Sequence, residues 1–124
     1  MIKRYLLIAV VFAAGIVIGQ SQNKYNMPTT VLHVVTVQWK ADSTPDQQNA
    51  AIEGIKTMAS QTPGVKNIWI KKIKVQPAEF STVFAMEFEN KAAFDRYTDA
   101  PAHKNWEKIY LPIRQESRTH DVTN

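Results

Sequence analysis

Residues 31–47 decide the fold: Val31-Leu32-His33-Val34-Val35-Thr36-Val37-Gln38-Trp39-Lys40-Ala41-Asp42-Ser43-Thr44-Pro45-Asp46-Gln47. Val31, Val35, Val37 and Trp39 alternate with Leu32, Val34, Thr36, Gln38 and Lys40, a period of two that specifies a strand with both faces at least partly covered. His33 falls on the first of those faces. Ala41 to Ser43 make a short loop. Thr44-Pro45-Asp46-Gln47 then supplies an N-cap hydroxyl, a proline at the first helical position and the glutamine of a capping box, which predicts a helix from Pro45 to about Ser60. Its apolar stripe is Ala51, Ile52, Ile55, Met58 and Ala59, at the spacing of a helix laid on a sheet, and Pro63-Gly64 forces a turn after it.

The same rhythm repeats downstream. Lys66 to Val75 reads as a second strand, Gln76 to Glu79 as a loop, and Phe80 to Glu89 alternates again. Phe80, Thr82, Phe84, Met86 and Phe88 share one face of that third strand. Asn90 can cap a helix carrying Phe94 and Tyr97, and Pro101 opens another with the stripe Ala102, Trp106, Ile109 and Tyr110. A polar stretch from about Ser117 to Thr123 is the candidate last strand. The order strand, helix, strand, strand, helix, strand is the split βαβ arrangement of an α+β, ferredoxin-like sandwich, with helices on one face of an antiparallel sheet. Leu32 and Val34 lie on the other face, so that face is expected to meet a second sheet, most simply that of another copy of the chain.

The chain has 124 residues, of which 44% are hydrophobic and 21% charged. Residues 1–22 read as a signal peptide or an N-terminal membrane anchor: Met1 to Arg4 is a short positive region, and residues 5–19 are an uncharged run. Cleavage after small residues near Gly19 or Ser21 and retention as an anchor are both compatible with this pattern, and both place the rest outside the cytoplasm, periplasmic or secreted. Residues 23–30 form a polar linker and residues 31–122 one small domain, which rules out a two-domain enzyme.

Without cysteine the chain has no disulfides, zinc thiolates, thiol catalysis or lipidated cysteine. Its four glycines lie at 15, 19, 54 and 64, where no phosphate-binding glycine loop can be written. Lys3 and Arg4 account for two of the fifteen basic residues, which leaves the domain nearly balanced against its eleven acidic ones. Nucleic-acid binding, which needs a basic face, is not expected. The three histidines, at 33, 103 and 120, lack the spacing of two ligands on one helical face, so neither a metal nor another cofactor is expected.

The stretch with chemical content is Tyr97-Thr98-Asp99-Ala100-Pro101-Ala102-His103. His103 falls in the first turn of the helix that Pro101 opens, and Tyr97 in the last turn of the helix before, so phenol and imidazole can share a pocket. Helix N-terminal dipoles disfavour the charged imidazole, which keeps His103 neutral and able to accept a proton. Tyr97 can donate to a carbonyl oxygen, and His33 can hold or polarise the same ligand. The bland alternative is that His103 packs the helix junction and His33 is a satisfied core histidine.

Leu32-His33-Val34-Val35, Pro63-Gly64-Val65 and Tyr97-x-x-x-Pro101-x-His103, in this order, resemble the stress-responsive α/β-barrel family, the Dabb domain. The resemblance covers about Val31 to Val122. It implies a dimeric ferredoxin-like fold in which two four-stranded sheets close into a dimeric α/β barrel. Most members have no established activity, but one plant cyclase of the family closes a linear polyketide by an aldol-type condensation. The resemblance gives His33, Tyr97 and His103 as catalytic candidates; Trp106, Phe84 and Thr82 are the ligand-binding candidates, a choice the resemblance does not supply. Many relatives carry a histidine in the third strand where this chain has Thr82, and their last strand is apolar where this one reads Ser117-Arg118-Thr119-His120-Asp121. The expected function is binding of a small apolar or aromatic molecule by an exported homodimer that touches a membrane only through residues 5–19, if those are uncleaved. The alternatives are a cofactor-free, aldol-type cyclase or lyase with His103 as general base, and a non-catalytic stress or interaction protein.

Overall fold

The computed structural model describes residues 23–124; the signal or anchor segment expected over residues 1–22 lies outside them. Four strands and three α-helices follow in order: β1 Val31–Trp39, α1 Pro45–Ser60, β2 Val65–Trp69, β3 Thr82–Phe88, α2 Lys91–Tyr97, α3 Pro101–Tyr110, and β4 Arg114–Val122, with a 3-10 turn at Leu111–Ile113 before β4. The sheet order is β2-β3-β1-β4, with every neighbouring pair antiparallel. This is the ferredoxin-like α+β fold.

Local chemistry sets the helix starts. Thr44 Oγ1 accepts from the Gln47 backbone N–H, and Gln47 Oε1 accepts from that of Thr44, at 3.2 and 2.9 Å, so the capping box closes in both directions. The Asn90 side chain accepts from the Ala93 N–H at 2.9 Å and starts α2. Gly64 takes φ +90°, and a Cβ there would lie 2.5 Å from that of Ala93, so the turn into β2 admits only glycine without rearrangement.

On the helix side of the sheet, Val35, Val37 and Trp39 from β1 and Phe84, Met86 and Phe88 from β3 are buried against Ala51, Ile55 and Met58 of α1 and Ala102, Trp106 and Tyr110 of α3. Gly54 allows close approach of α1 to α3, since a Cβ there would meet Ile109 Cδ1 at 3.0 Å and Trp106 Cδ1 at 3.2 Å. That approach lets the Trp106 indole donate to the Ala51 carbonyl at 2.7 Å, which fixes the helix that carries His103.

Four expectations need correction. β2 stops at Trp69 and not at Val75: its ladder with β3 ends where Trp69 pairs Ala85, and Ile73 beyond it is fully exposed. β3 begins at Thr82, leaving Phe80 buried but outside the strand, under the Arg118 guanidinium at 4.4 Å. β4 runs from Arg114, three residues earlier than the polar pattern suggested, because backbone pairing to β1 holds it along its length regardless of side-chain polarity. Ile109 is about half exposed at the edge of the α3 stripe.

Nothing among the described residues covers the face opposite the helices. Trp69, Ala85, Val34 and His120 form one row across the four strands, and Leu32 and Val122 share the next. Trp69 is 50% and Val122 57% exposed, a level of apolar exposure that marks an interaction face.

Candidate functional site

A cleft of about 260 Å³ lies between the sheet and α2–α3. Its aromatic wall comes from Phe84, Phe94, Tyr97, Trp106 and Tyr110, with His33 and His103 set among them. The other wall is polar. β4 turns Arg114, Ser117, Thr119 and Asp121 toward the helices, opposite Trp39, Val37, Val35 and His33 of β1. A strand whose inward residues are polar does not complete an apolar core, and the space left beside it is the cleft.

The first-strand and third-helix histidines are brought together through Tyr97. The ring centroids of His33 and Tyr97 lie 5.5 Å apart and those of Tyr97 and His103 4.6 Å apart, both edge to face. His33 Nδ1 is 2.6 Å from Asp121 Oδ1. His103 Nδ1 is 3.0 Å from the Thr98 carbonyl and 2.7 Å from Glu107 Oε1. A carbonyl and a carboxylate only accept, so each Nδ1 carries the hydrogen, and in the neutral ring Nε2 is left as the proton acceptor.

His103 sits below the ordinary histidine pKa of 6.5, and burial is the chief cause; Glu107 and the Thr98 carbonyl act in the opposite direction. The direction is the one expected from the sequence, but burial and not the dipole of α3 is its chief cause. The Thr98 carbonyl, at the C-cap of α2, favours the charged ring and opposes that dipole. Since the native pKa is the lower one, the unfolded chain binds the extra proton. The stability from the neutral ring is therefore complete above about pH 6.5 and is lost as the pH falls through the native value.

Tyr97 differs from expectation in one respect. Its ring lines the cleft, but its hydroxyl donates to Met58 Sδ at 3.8 Å, away from the imidazoles and into α1. Burial first, then Tyr110 and Glu107, push the phenol's pKa up, so it stays protonated. Thr82 does not line the cleft: its Oγ1 accepts from Trp39 Nε1 at 2.8 Å, where it serves β1–β3 packing. Phe84 and Trp106 do line it.

Two residues beside the histidines escaped the sequence reading. Glu107 lies four residues after His103, a helical spacing that was available to find it. Asp121 was not findable that way, because it meets His33 only through the β1–β4 register. Among the described residues no three His, Cys, Asp or Glu side chains converge as a metal-ligand set. A larger hollow of about 500 Å³ adjoins Tyr97, lined by Thr62, Pro63, Asp95, Arg96 and Asp99 among others, but it contains no imidazole.

Comparison with known proteins gives one family. The model of the Dabb family, the stress responsive A/B barrel domain, matches residues 31–124. No protein of curated function matches the sequence. Among solved structures, the chain is similar to a dimeric ferredoxin-like protein of unknown function from Thermobifida fusca, at 20% identity and TM-score 0.63, over 85% of this chain and all of that one. A Dabb family protein with a ferredoxin-like fold from Mesorhizobium loti is 22% identical with TM-score 0.62, over 77% of this chain and 96% of its own. A hydroxynitrile lyase from Passiflora edulis is 18% identical with TM-score 0.62, over 77% and 93%. At these identities the structural likenesses establish the fold alone. The family match spans three quarters of the sequence, and with the β1 histidine and the Tyr97-x-x-x-Pro101-x-His103 junction facing one cleft, it places the chain in the Dabb family of stress responsive A/B barrel domains.

Proposed function

We propose that the chain is an exported homodimer that binds a small, largely aromatic molecule in the cleft between His33 and His103. The observation that carries this reading is a cleft walled by five aromatic rings into which two imidazoles are set, each tied by Nδ1 to an acceptor. Its volume is below the ~300–1,000 Å³ of drug-sized pockets, which limits the ligand to roughly one ring with short substituents. The open apolar sheet face, together with the dimeric description of the Thermobifida protein, supports pairing of two copies. Export rests on Met1 to Gly19. Residues 1–30 fused to a reporter active only outside the cytoplasm should give signal, and accumulation of the full chain in the cytoplasm would sink this part.

The test of the cleft is acetophenone binding by wild type and by His103→Ala. The substitution removes the imidazole tie between Thr98 and Glu107 and should cost about 1 kcal/mol of stability. Acetophenone affinity should fall far more than that loss accounts for. Unchanged affinity would place the probe elsewhere and leave His103 a packing residue.

A second reading is favoured by the hydrogen on His103 Nδ1. Its Nε2 is a free base beside aromatic walls, suited to proton abstraction next to a carbonyl without any cofactor, and the Passiflora relative is itself a lyase. Deuterium exchange into the acetophenone methyl group should then exceed the buffer rate and decline as the pH falls through a value below 6.5, where His103 becomes charged. Exchange no faster than buffer removes the catalytic reading and leaves a binding protein.

A further inference from the structure

The end of the cleft away from the two histidines contains an unused donor. Tyr110 is 4% exposed, and its buried hydroxyl has no partner at full hydrogen-bond distance among the described residues, with Ser117 and Arg114 as its nearby polar groups. Its ring is clamped, stacked on Trp106 at 4.2 Å and 17° and edge-on to Trp39 at 6.0 Å, which fixes where the hydroxyl points. Beside it, the Arg114 guanidinium lies 5.5 Å from the centre of the phenol ring and donates to Ser117 Oγ at 3.3 Å. None of the ion pairs among the described residues involves Arg114. Tyr110, Arg114 and Ser117 all line the cleft. A buried phenol left without a partner costs free energy, and so does a half-buried guanidinium without a carboxylate; a ligand that supplies acceptors relieves both.

We propose that Tyr110, Arg114 and Ser117 form an anion-recognising subsite, and that the ligand is an elongated carboxylic acid with an aromatic or apolar middle. The inference rests on the reading of the cleft as a small-molecule site and adds the chemistry of one end. All three groups can donate to carboxylate oxygens, and the planar guanidinium fits a carboxylate in particular. The one carboxylate that lines the cleft, Asp121, sits at its opposite end and is held by His33, while Glu107, one turn before Tyr110 on α3, is held by His103. Tyr110 follows His103 by seven residues of α3, about 10 Å along the helix axis. A molecule with its acid group at Arg114 therefore presents its far end to the imidazoles only if it is about that long.

The probes are 4-acetylbenzoate and acetophenone, which differ only in the carboxylate, titrated by calorimetry into protein produced from the full-length coding sequence. The acid should bind about tenfold or more tighter than the neutral ketone. Arg114→Met should bring that ratio close to one. Because Arg114 also packs on Tyr110, a second variant guards against misfolding: Tyr110→Phe removes only an unpartnered hydroxyl, so the melting temperature should be unchanged or higher while the ratio falls severalfold. Equal binding of the two probes to wild type, or a ratio that survives both substitutions, overturns the subsite and leaves the cleft reading intact. If neither probe binds, the cleft reading fails and the subsite with it.

Discussion

Phe88→Ala should lower the unfolding free energy by about 3–5 kcal/mol, the cost of emptying a fully buried phenylalanine site. Phe88 is 0% exposed, and its ring meets Tyr97 at 5.0 Å, Phe94 at 5.5 Å and His33 at 6.4 Å between centroids. It therefore supports from below the same side chains that wall the cleft from above. Small domains have only about 5–15 kcal/mol of stability in total, so the variant should stand close to its unfolding threshold. Its surviving folded fraction should bind aromatic probes weakly, because Tyr97 and Phe94 lose the ring that holds them. Urea denaturation checks the first part: a loss under about 1 kcal/mol would mean that the cavity collapses and that Phe88 is not the support described here.

Val34→Asp should separate the proposed homodimer into monomers. Val34 lies at the centre of the open face, with Ala85 and Trp69 on one side of its row and His120 on the other. In a two-fold pair of facing sheets the substitution acts twice, each copy losing a buried valine worth about 1.5–3 kcal/mol and burying a carboxylate in its place. The dissociation constant should rise at least about a thousandfold. Light scattering at micromolar concentration should give a dimer for wild type and a monomer for the variant. A variant that remains dimeric would move the interface off this face, and a monomeric wild type would end the homodimer proposal.

How far the sequence could be read depended on whether a contact was local. The Thr44 box, the Asn90 cap and the Pro101 start are decided within four residues, and all three appear where their chemistry put them. The alternation of β1 correctly separated the buried His33 face from the open Leu32 and Val34 face. The last strand was harder because its inward residues are Arg114, Ser117, Thr119 and Asp121, a pattern that looks like solvated coil unless the cleft beside it is known. The same register hid the Asp121 contact to His33. Thr82 was misplaced for a related reason: it shares the inward face of β3, but the Trp39 indole reaches its hydroxyl first. The Tyr97 to His103 spacing brought the two rings together as expected, yet spacing could not foretell that the phenol hydroxyl would turn to Met58.

Binding of a small aromatic molecule in the cleft walled by Phe94, Tyr97, His103 and Trp106 can be observed at the lining residues themselves. Protein-observed NMR with 4-acetylbenzoate, following aromatic and imidazole signals, tests it most directly. Saturable shifts are expected on His33, Phe94, Tyr97, His103 and Trp106, with Trp69 on the open sheet face unmoved. Shifts confined to Trp69 and its neighbours, or to the hollow lined by Asp95 and Asp99, would contradict binding in the cleft.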